Sequence, residues 1–218
     1  MITIKTRLRR RDVRQAIRFA ISGMHFDWYL DSRFLLWLYG RYFWYKEQAR
    51  ATRCFAASED RRFLGVLLAE AYGEPPLGTS RWARGYVKAF DWIAAHFFKG
   101  GPDVYERTTA ALLRRYQTHT RPDGEILFLA ADPAAQVPGV GTALLGALEK
   151  AEAGKTFYLQ TDNACTWQFY EHRGFVRAEE AAIVLEMPKG RIPLDCFLYS
   201  KDFMAAEVKG GAGDGVWS

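Results

Sequence analysis

The sequence predicts an α/β fold of the α+β type, in which helices flank a central sheet of about seven strands. Two kinds of periodicity indicate this fold class. Residues 126–131 and 156–161 are short apolar runs of strand length, whereas residues 140–151 carry apolar side chains at three- and four-residue spacing, as an amphipathic helix does. Strand and helix patterns alternate along the 218 residues, so we expect a sheet covered by helices.

The other elements are predicted in chain order from the same patterns. Apolar and polar residues alternate over residues 2–6, which indicates a first strand, and Asp12 is able to start the first helix. A second helix over 33–49 is crowded with aromatic residues. Further strands are expected at 53–57, 63–72, 175–177, 182–186 and 194–199.

Between the third and fourth strands, residues 73–123 are predicted to form a helical insertion. Pro75 and Pro76 mark a loop at its start. Two helical stripes follow, made of Trp82, Tyr86, Phe90, Ile93 and Phe97 and then of Tyr105, Leu112, Leu113 and Tyr116. We therefore predict one domain over residues 1–204, followed by a flexible, glycine-bearing tail at 205–218.

Composition argues against several classes of protein. No run reaches the roughly 18 apolar residues of a membrane span, and charges interrupt the start of the chain where a signal peptide would be apolar. Cys54, Cys165 and Cys196 are odd in number, as free thiols of a reduced compartment often are. The histidines and cysteines show no metal-ligand spacing. We therefore expect a cytoplasmic protein with no metal and no membrane partner.

The net charge of +5 is concentrated near the start of the chain, where arginines crowd positions 7–18. Three interpretations compete: a solvated helix face, attraction of a polyanionic cofactor, and nucleic-acid binding. No recognised nucleic-acid motif accompanies the arginines, so we expect no nucleic-acid partner.

A strand, a turn with two glycines and a helix follow one another from Glu125 onward. The start of such a helix offers unpaired N–H groups and the positive end of a dipole, which suit a pyrophosphate. The dinucleotide turn G-x-G-x-x-G does not match, because position 144 is Leu144, and a Walker loop would need Gly-Lys-Ser/Thr. Gln136, Gly139 and Gly141 instead fit Q/R-x-x-G-x-G/A. This stretch resembles the acetyl-CoA pyrophosphate turn of the GNAT superfamily of N-acetyltransferases.

A second stretch resembles the other motif of that superfamily. After the predicted strand at 156–161, Asn163 is followed seven residues later by Tyr170 and then by Gly174 and Phe175. Asn163 is expected to cap a helix that Gly174 ends in a left-handed conformation, so that Asn163 and Tyr170 share a helix face. Together the two motifs give the chain a strong resemblance to GNAT proteins.

This resemblance implies a mixed sheet in which the strand before the turn splays from the next, parallel strand. The pantetheine arm of the co-substrate acetyl-CoA would lie in the gap, and Tyr170 would protonate the departing thiolate. Pro138 lacks an N–H group, and Ala131 stands where a β-branched residue is common. The residues implied to bind acetyl-CoA are Leu129, Ala130, Ala131, Gln136, Val137, Pro138, Gly139, Val140, Gly141, Thr142 and Asn163.

The resemblance also suggests residues on the acceptor side. Some GNAT proteins carry a general-base glutamate in a similar E-I-x-F run, which makes Glu125 a candidate base, and strand alternation places it on one face with Leu127 and Leu129. Glu70 on the neighbouring strand is a lesser candidate. Four residues between the first two helices are candidates for the acceptor pocket, or else are helix caps and core: Asp27, Trp28, Tyr29 and Asp31.

The implied function is an acetyl-CoA-dependent N-acetyltransferase. It would act on a primary amine of a small molecule, or of a peptide or protein, by direct attack in a ternary complex. The alternative is a catalytically silent acyl-CoA-binding protein with a regulatory or assembly role. The insertion at 73–123 either roofs the acceptor site or makes a subunit contact, which would give a homodimer.

Overall fold

A computed structural model describes residues 1–24, 32–78, 80–97, 101–187 and 190–205. The elements are β1 (Thr3–Lys5), α1 (Val13–Gly23), α2 (Arg33–Arg50), β2 (Arg53–Glu59), β3 (Arg62–Ala71), α3 (Arg81–Phe97), α4 (Gly101–Tyr116), β4 (Gly124–Ala131), α5 (Val140–Ala151), β5 (Thr156–Asp162), α6 (Gln168–Glu171), β6 (Val176–Met187) and β7 (Gly190–Asp202). No helix in these described ranges is both long enough and apolar enough to span a membrane.

The strands form one mixed sheet in the order β1-β2-β3-β4-β5-β7-β6. Only β4 and β5 pair in parallel, whereas every other neighbouring pair is antiparallel. The predicted fold class and the expected number of strands are therefore confirmed. The two short strands expected at 175–177 and 182–186 are in fact one strand, β6, which stays paired with β7 through a bulge near Arg177 and Glu179.

Helices cover both faces of the sheet. On one face α5 packs over β2, β3 and β4, and Leu144, Leu148 and Phe157 are fully buried in the core on this face. On the other face α1 and α2 cover β3 and β4. The second half of that face, over β6 and β7, is covered by α4.

The two helices of the insertion lie in different places. α4 is part of the core, because Leu112 and Tyr116 are buried against β5 and β7. α3 instead packs on α2 through aromatic rings, such as Tyr42 and Phe90 with centroids 4.3 Å apart. The insertion is thus an integral wall of the domain, and the subunit contact stays a prediction.

The aromatic residues of α2 do not all belong to the core. Trp44 is 1 % exposed, whereas Phe34 and Trp37 are 65 % and 46 % exposed. The Arg41 guanidinium lies over the rings of Trp37 and Trp82, 4.6 Å and 4.9 Å from their centroids. These contacts explain why aromatic residues occur all round α2 rather than on one stripe.

A bulge interrupts the alternation of β4. Leu68 pairs with Phe128 and Ala69 pairs with Ile126, so Leu127 has no partner on β3. Leu127 and Phe128 therefore both pack beneath α1 and α2, whereas Leu129 packs beneath α5. The expectation that Glu125, Leu127 and Leu129 share a face is wrong for Leu129, because one extra residue reverses the faces after it.

Candidate active site

A cleft opens where β4 and β5 separate. The two strands pair only at Gly124 with Phe157 and at Glu125 with Tyr158. Beyond these pairs they diverge around a cleft of about 690 Å³. Along that edge the backbone of residues 126–131 faces the cleft rather than β5, which leaves main-chain groups available to a bound molecule.

The closed end of the cleft depends on Gly124. A β carbon at this position would lie 2.4 Å from the Phe157 ring and 2.4 Å from the Glu70 carbonyl oxygen. Glycine therefore allows three strands to approach each other here, and the bulge at Leu127 begins the divergence immediately afterwards.

The turn before α5 leaves the first N–H groups of the helix without an acceptor inside the helix. Gly139 has a left-handed φ of 81°, and its carbonyl accepts the first helical bond from the Ala143 N–H group at 2.9 Å. The N–H groups of Val140, Gly141 and Thr142 precede that bond and have no helical acceptor. Within the described structure, no side chain caps this end, so an anion is the natural partner of these donors.

Gly141 and Asp132 make two further contacts at this end of the cleft. A β carbon on Gly141 would lie 3.2 Å from the Phe169 ring, so glycine lets α6 pack closely against α5. The side chain of Asp132 accepts a hydrogen bond from the Ala134 N–H group at 3.0 Å and binds Arg62 at 3.0 Å. These two bonds of Asp132 fix the start of the turn that leads to Gly139 and Gly141.

Tyr170 lines the cleft from α6. Its ring packs edge-on against Phe169 and Phe175, with centroids 5.3 Å and 5.8 Å away. Burial raises the pKa of Tyr170 well above its usual value. The hydroxyl is therefore protonated at neutral pH, as a proton donor has to be.

Asn163 does not cap a helix. α6 begins only at Gln168, and the Asn163 side chain is bonded to β7: its amide donates to Asp195 Oδ2 at 2.9 Å, and its oxygen accepts from the Asp195 N–H group at 3.2 Å. Asn163 and Tyr170 consequently do not share a helix face. Gly174 does end this helical turn in the left-handed conformation, with φ of 79°.

Glu125 lies at the closed end of the cleft in a buried polar network. Its carboxylate binds the Arg50 guanidinium, which also binds Glu70 at 2.8 Å and lies 3.8 Å from Glu47. Burial raises the pKa of Glu125, and Arg50 partly offsets this effect. The Tyr158 hydroxyl also bonds Glu125.

The structure brings together nine of the fourteen predicted site residues that it describes. The predicted residues that line the cleft are Leu129, Ala130, Ala131, Val137, Gly139, Val140, Gly141, Thr142 and Tyr170. Gln136, Pro138, Asn163, Glu125 and Glu70 are outside that lining. The candidate acceptor residues Asp27, Trp28, Tyr29 and Asp31 lie outside the described residues.

Sequence reasoning missed several polar residues of the cleft, among them Tyr105, Asp162, Cys165 and Arg173. Tyr105 belongs to the insertion, whose position over β5 had no local signal. Asp162 and Cys165 flank the Asn163 motif, so their proximity to the site was visible in the sequence, but their orientation was not. In the described part of the chain, no group of three or more His, Cys, Asp or Glu side chains could hold a metal ion.

Comparison with known proteins identifies the fold family. Residues 19–175 match the model described as the Acetyltransferase (GNAT) family, which is more than half of the chain. The chain belongs to this family. No curated protein matches the sequence of this GNAT protein.

Solved structures share the GNAT fold at low sequence identity. The ribosomal-protein-S18-alanine N-acetyltransferase from Escherichia coli is 16 % identical, with TM-score 0.53 and 100 % of both chains covered. A Corynebacterium glutamicum protein described as histone acetyltransferase HPA2 and related acetyltransferase is 15 % identical, with TM-score 0.53 and 95 % and 99 % coverage. Arabidopsis thaliana NAA60, in complex with a bisubstrate analogue, is 12 % identical, with TM-score 0.51 and 92 % and 97 % coverage.

Proposed function

We propose that this GNAT protein transfers the acetyl group of acetyl-CoA to a primary amine, of a small molecule or of a peptide, by direct attack in a ternary complex. The observation that carries the proposal is the cleft between β4 and β5. It joins an open helix start, an unpaired strand edge and a protonated tyrosine in one space. Of the similar structures named above, the ribosomal-protein-S18-alanine N-acetyltransferase acts on an alanine of a ribosomal protein according to its name, which supports the amine acceptor class.

The residues present fit acetyl-CoA in three respects. The N–H groups at the start of α5 suit the pyrophosphate, and Arg173 lines the same cleft as a further cation. The edge of β4 at Leu129, Ala130 and Ala131 has main-chain groups that suit the amides of a pantetheine arm. We propose these groups, together with Gln136, Val137 and Pro138 of the same turn and Asn163 of the second motif, as the coenzyme site.

The reaction requires one bond to form and one to break. The neutral nitrogen of the amine attacks the thioester carbon, the C–S bond then breaks, and the nitrogen loses a proton while the sulfur gains one. We propose that Tyr170 donates the proton to the sulfur, because its phenolic hydroxyl is protonated at neutral pH and it lines the cleft. Glu125 is the proposed acceptor of the amine proton through water, since burial raises its pKa towards the working range of a base.

A Tyr170→Phe variant tests the catalytic proposal. Removal of a general acid lowers kcat by roughly 10²- to 10⁴-fold, so thiol release should fall by that factor while the Kd of acetyl-CoA, measured by calorimetry, stays the same. Tyr45→Phe is the matched control, because it removes a phenolic hydroxyl that accepts a hydrogen bond from Arg41 on α2, outside the cleft. The control should keep the wild-type rate.

The alternative function makes a different prediction. A catalytically silent acyl-CoA-binding protein would bind acetyl-CoA but release no thiol with any amine of a broad panel. Wild-type turnover on even one amine, together with its loss in Tyr170→Phe, would exclude it.

A further inference from the structure

The positively charged and the negatively charged side chains of the cleft lie in different parts of it. Among the described residues that line it, only Arg173 and Asp162 carry a formal charge. Arg173 lies near the start of α5, with its guanidinium 5.7 Å from the Phe169 ring that contacts Gly141. Asp162 is the last residue of β5 and bonds to Tyr105 of α4. The cleft therefore offers a cation and a helix dipole on the side of α5 and an anion on the side of α4.

The Asp162 carboxylate is buried without a cationic partner. The residue is 8 % exposed. Its Oδ2 atom accepts a hydrogen bond from the Tyr105 hydroxyl at 3.1 Å, and its Oδ1 atom accepts one from the Ala164 N–H group at 3.0 Å. Within the described ranges, no lysine or arginine forms an ion pair with it. A buried anion that has only neutral donors is costly unless a cation joins it.

The Asp162 side chain lies on the face of the sheet opposite α5. Along β5, Leu159 packs beneath α5, whereas Gln160 and Asp162 both bond to α4: the Gln160 amide donates to the Thr109 carbonyl oxygen at 2.5 Å, and Tyr105 donates to Asp162. The helix start that suits phosphates belongs to α5. The carboxylate therefore faces the half of the cleft that a coenzyme held at α5 would leave to the acceptor.

Asp162 is also set apart from the proton donor. The thiol of Cys165 lies beside the Asp162 carboxylate, and burial together with that carboxylate raises the pKa of the thiol to about 12. The same thiol lies close enough to Tyr170 to affect its ionisation. The thiol of Cys165 therefore lies close to both groups, and it, rather than the Asp162 carboxylate, is the neighbour that affects the ionisation of Tyr170.

We propose that Asp162, oriented by Tyr105 of the insertion, binds a second cationic group of the acceptor, so that the preferred acceptors are diamines and related polycationic amines. A second group is required because the attacking nitrogen must be neutral, whereas a buried carboxylate favours a charged ammonium. The inference rests on the proposed acetyl transfer for its role in turnover, but the binding of a diamine is measurable without it.

The experiment compares 1,4-diaminobutane with 1-aminobutane, which has the same carbon chain and one amine fewer. Wild-type protein should acetylate the diamine with the higher kcat/KM. Because a hydrogen bond to a charged group contributes most of this preference, Asp162→Asn should lower kcat/KM for the diamine by roughly 10- to 100-fold, through KM, and leave the monoamine unchanged. Tyr105→Phe should give a smaller loss in the same direction.

Glu106→Gln is the matched control, because it removes one negative charge from the exposed side of α4, next to Tyr105 and outside the cleft. It should leave both substrates unchanged. Calorimetry of 1,4-diaminobutane with the coenzyme A complex supplies the second readout. Asp162-dependent binding without thiol release from any amine would keep the inference and refute the proposed transfer. Equal use of both amines, an equal effect of Asp162→Asn on both, or no diamine binding would overturn the inference.

Discussion

The Arg50 guanidinium binds the Glu125 carboxylate at the closed end of the cleft, where β4 and β5 are still paired. The same guanidinium binds Glu70 and approaches Glu47, so three carboxylates share one cation. Their side chains are 12 %, 25 % and 13 % exposed, respectively. Full ionisation of all three would leave excess negative charge in a partly buried site, and this conflict leads to two predictions.

The first prediction concerns Glu125 as a base. A base acts only when it is unprotonated, so the rate should fall as the pH drops through the folded-state pKa of Glu125, which burial raises above 4.5. Glu125→Gln should remove this acidic limb from the pH profile of kcat and lower the plateau by roughly 10²- to 10⁴-fold. Glu186→Gln, an exposed strand glutamate that pairs with Arg191, is the control. An unaltered acidic limb in Glu125→Gln would show that Glu125 is not the base.

The second prediction concerns Glu47 and stability. Burial raises its folded-state pKa from 4.5 to about 7, so between these values the native state binds more protons than the unfolded state. The free energy of unfolding therefore falls as the pH rises through this window. Glu47→Gln should be more stable than wild type at pH 8 by on the order of 1–3 kcal/mol, and little changed at pH 4.5. Urea denaturation at the two pH values measures the difference, and a pH-independent effect would contradict the assignment.

The third prediction compares Gly139, which lies immediately before α5, with Gly146, which lies inside that helix. At Gly139 an added β carbon meets open space, but φ of 81° strains any residue with a side chain by roughly 1–2 kcal/mol. Gly139→Ala should therefore weaken acetyl-CoA binding, because relief of the strain moves the N–H groups at the helix start. Gly146→Ala, in the same helix, exposed and equally free of contacts, should instead stabilise the protein by about 0.5–1 kcal/mol and leave the Kd unchanged. Equal effects of both on the Kd would refute this.

The fourth prediction concerns the insertion. Leu112 of α4 is 0 % exposed and packs against β5 and β7, so Leu112→Ala should lower the free energy of unfolding by about 2–5 kcal/mol. Leu35→Ala, on the exposed side of α2 at 40 % exposure, should change it by less than about 0.5 kcal/mol. Chemical denaturation compares the two. Similar small losses would mean that α4 does not contribute to the hydrophobic core of the domain.

Local patterns predicted the elements closest to the proposed coenzyme site well. The apolar run before the turn, the glycine spacing and the stripe of α5 all act over a few residues, so β4 and α5 were found nearly at their observed bounds. The bulge at Leu127 was not predictable, because it depends on pairing with β3, and it moved Leu129 to the opposite face. Similarly, Asn163 had the right type for a helix cap, but the partner strand β7 occupies its side chain.

The sequence by itself indicated the GNAT family and predicted a phosphate-binding turn before α5, because the motif of Gln136, Gly139 and Gly141 is a local pattern carried by a few consecutive residues. The tertiary structure alone decided which distant side chains meet. It placed Tyr105 of the insertion on the Asp162 carboxylate and Arg50 between three glutamates. Burial and charge at these positions arise only when separate elements pack together, and no local pattern encodes that packing.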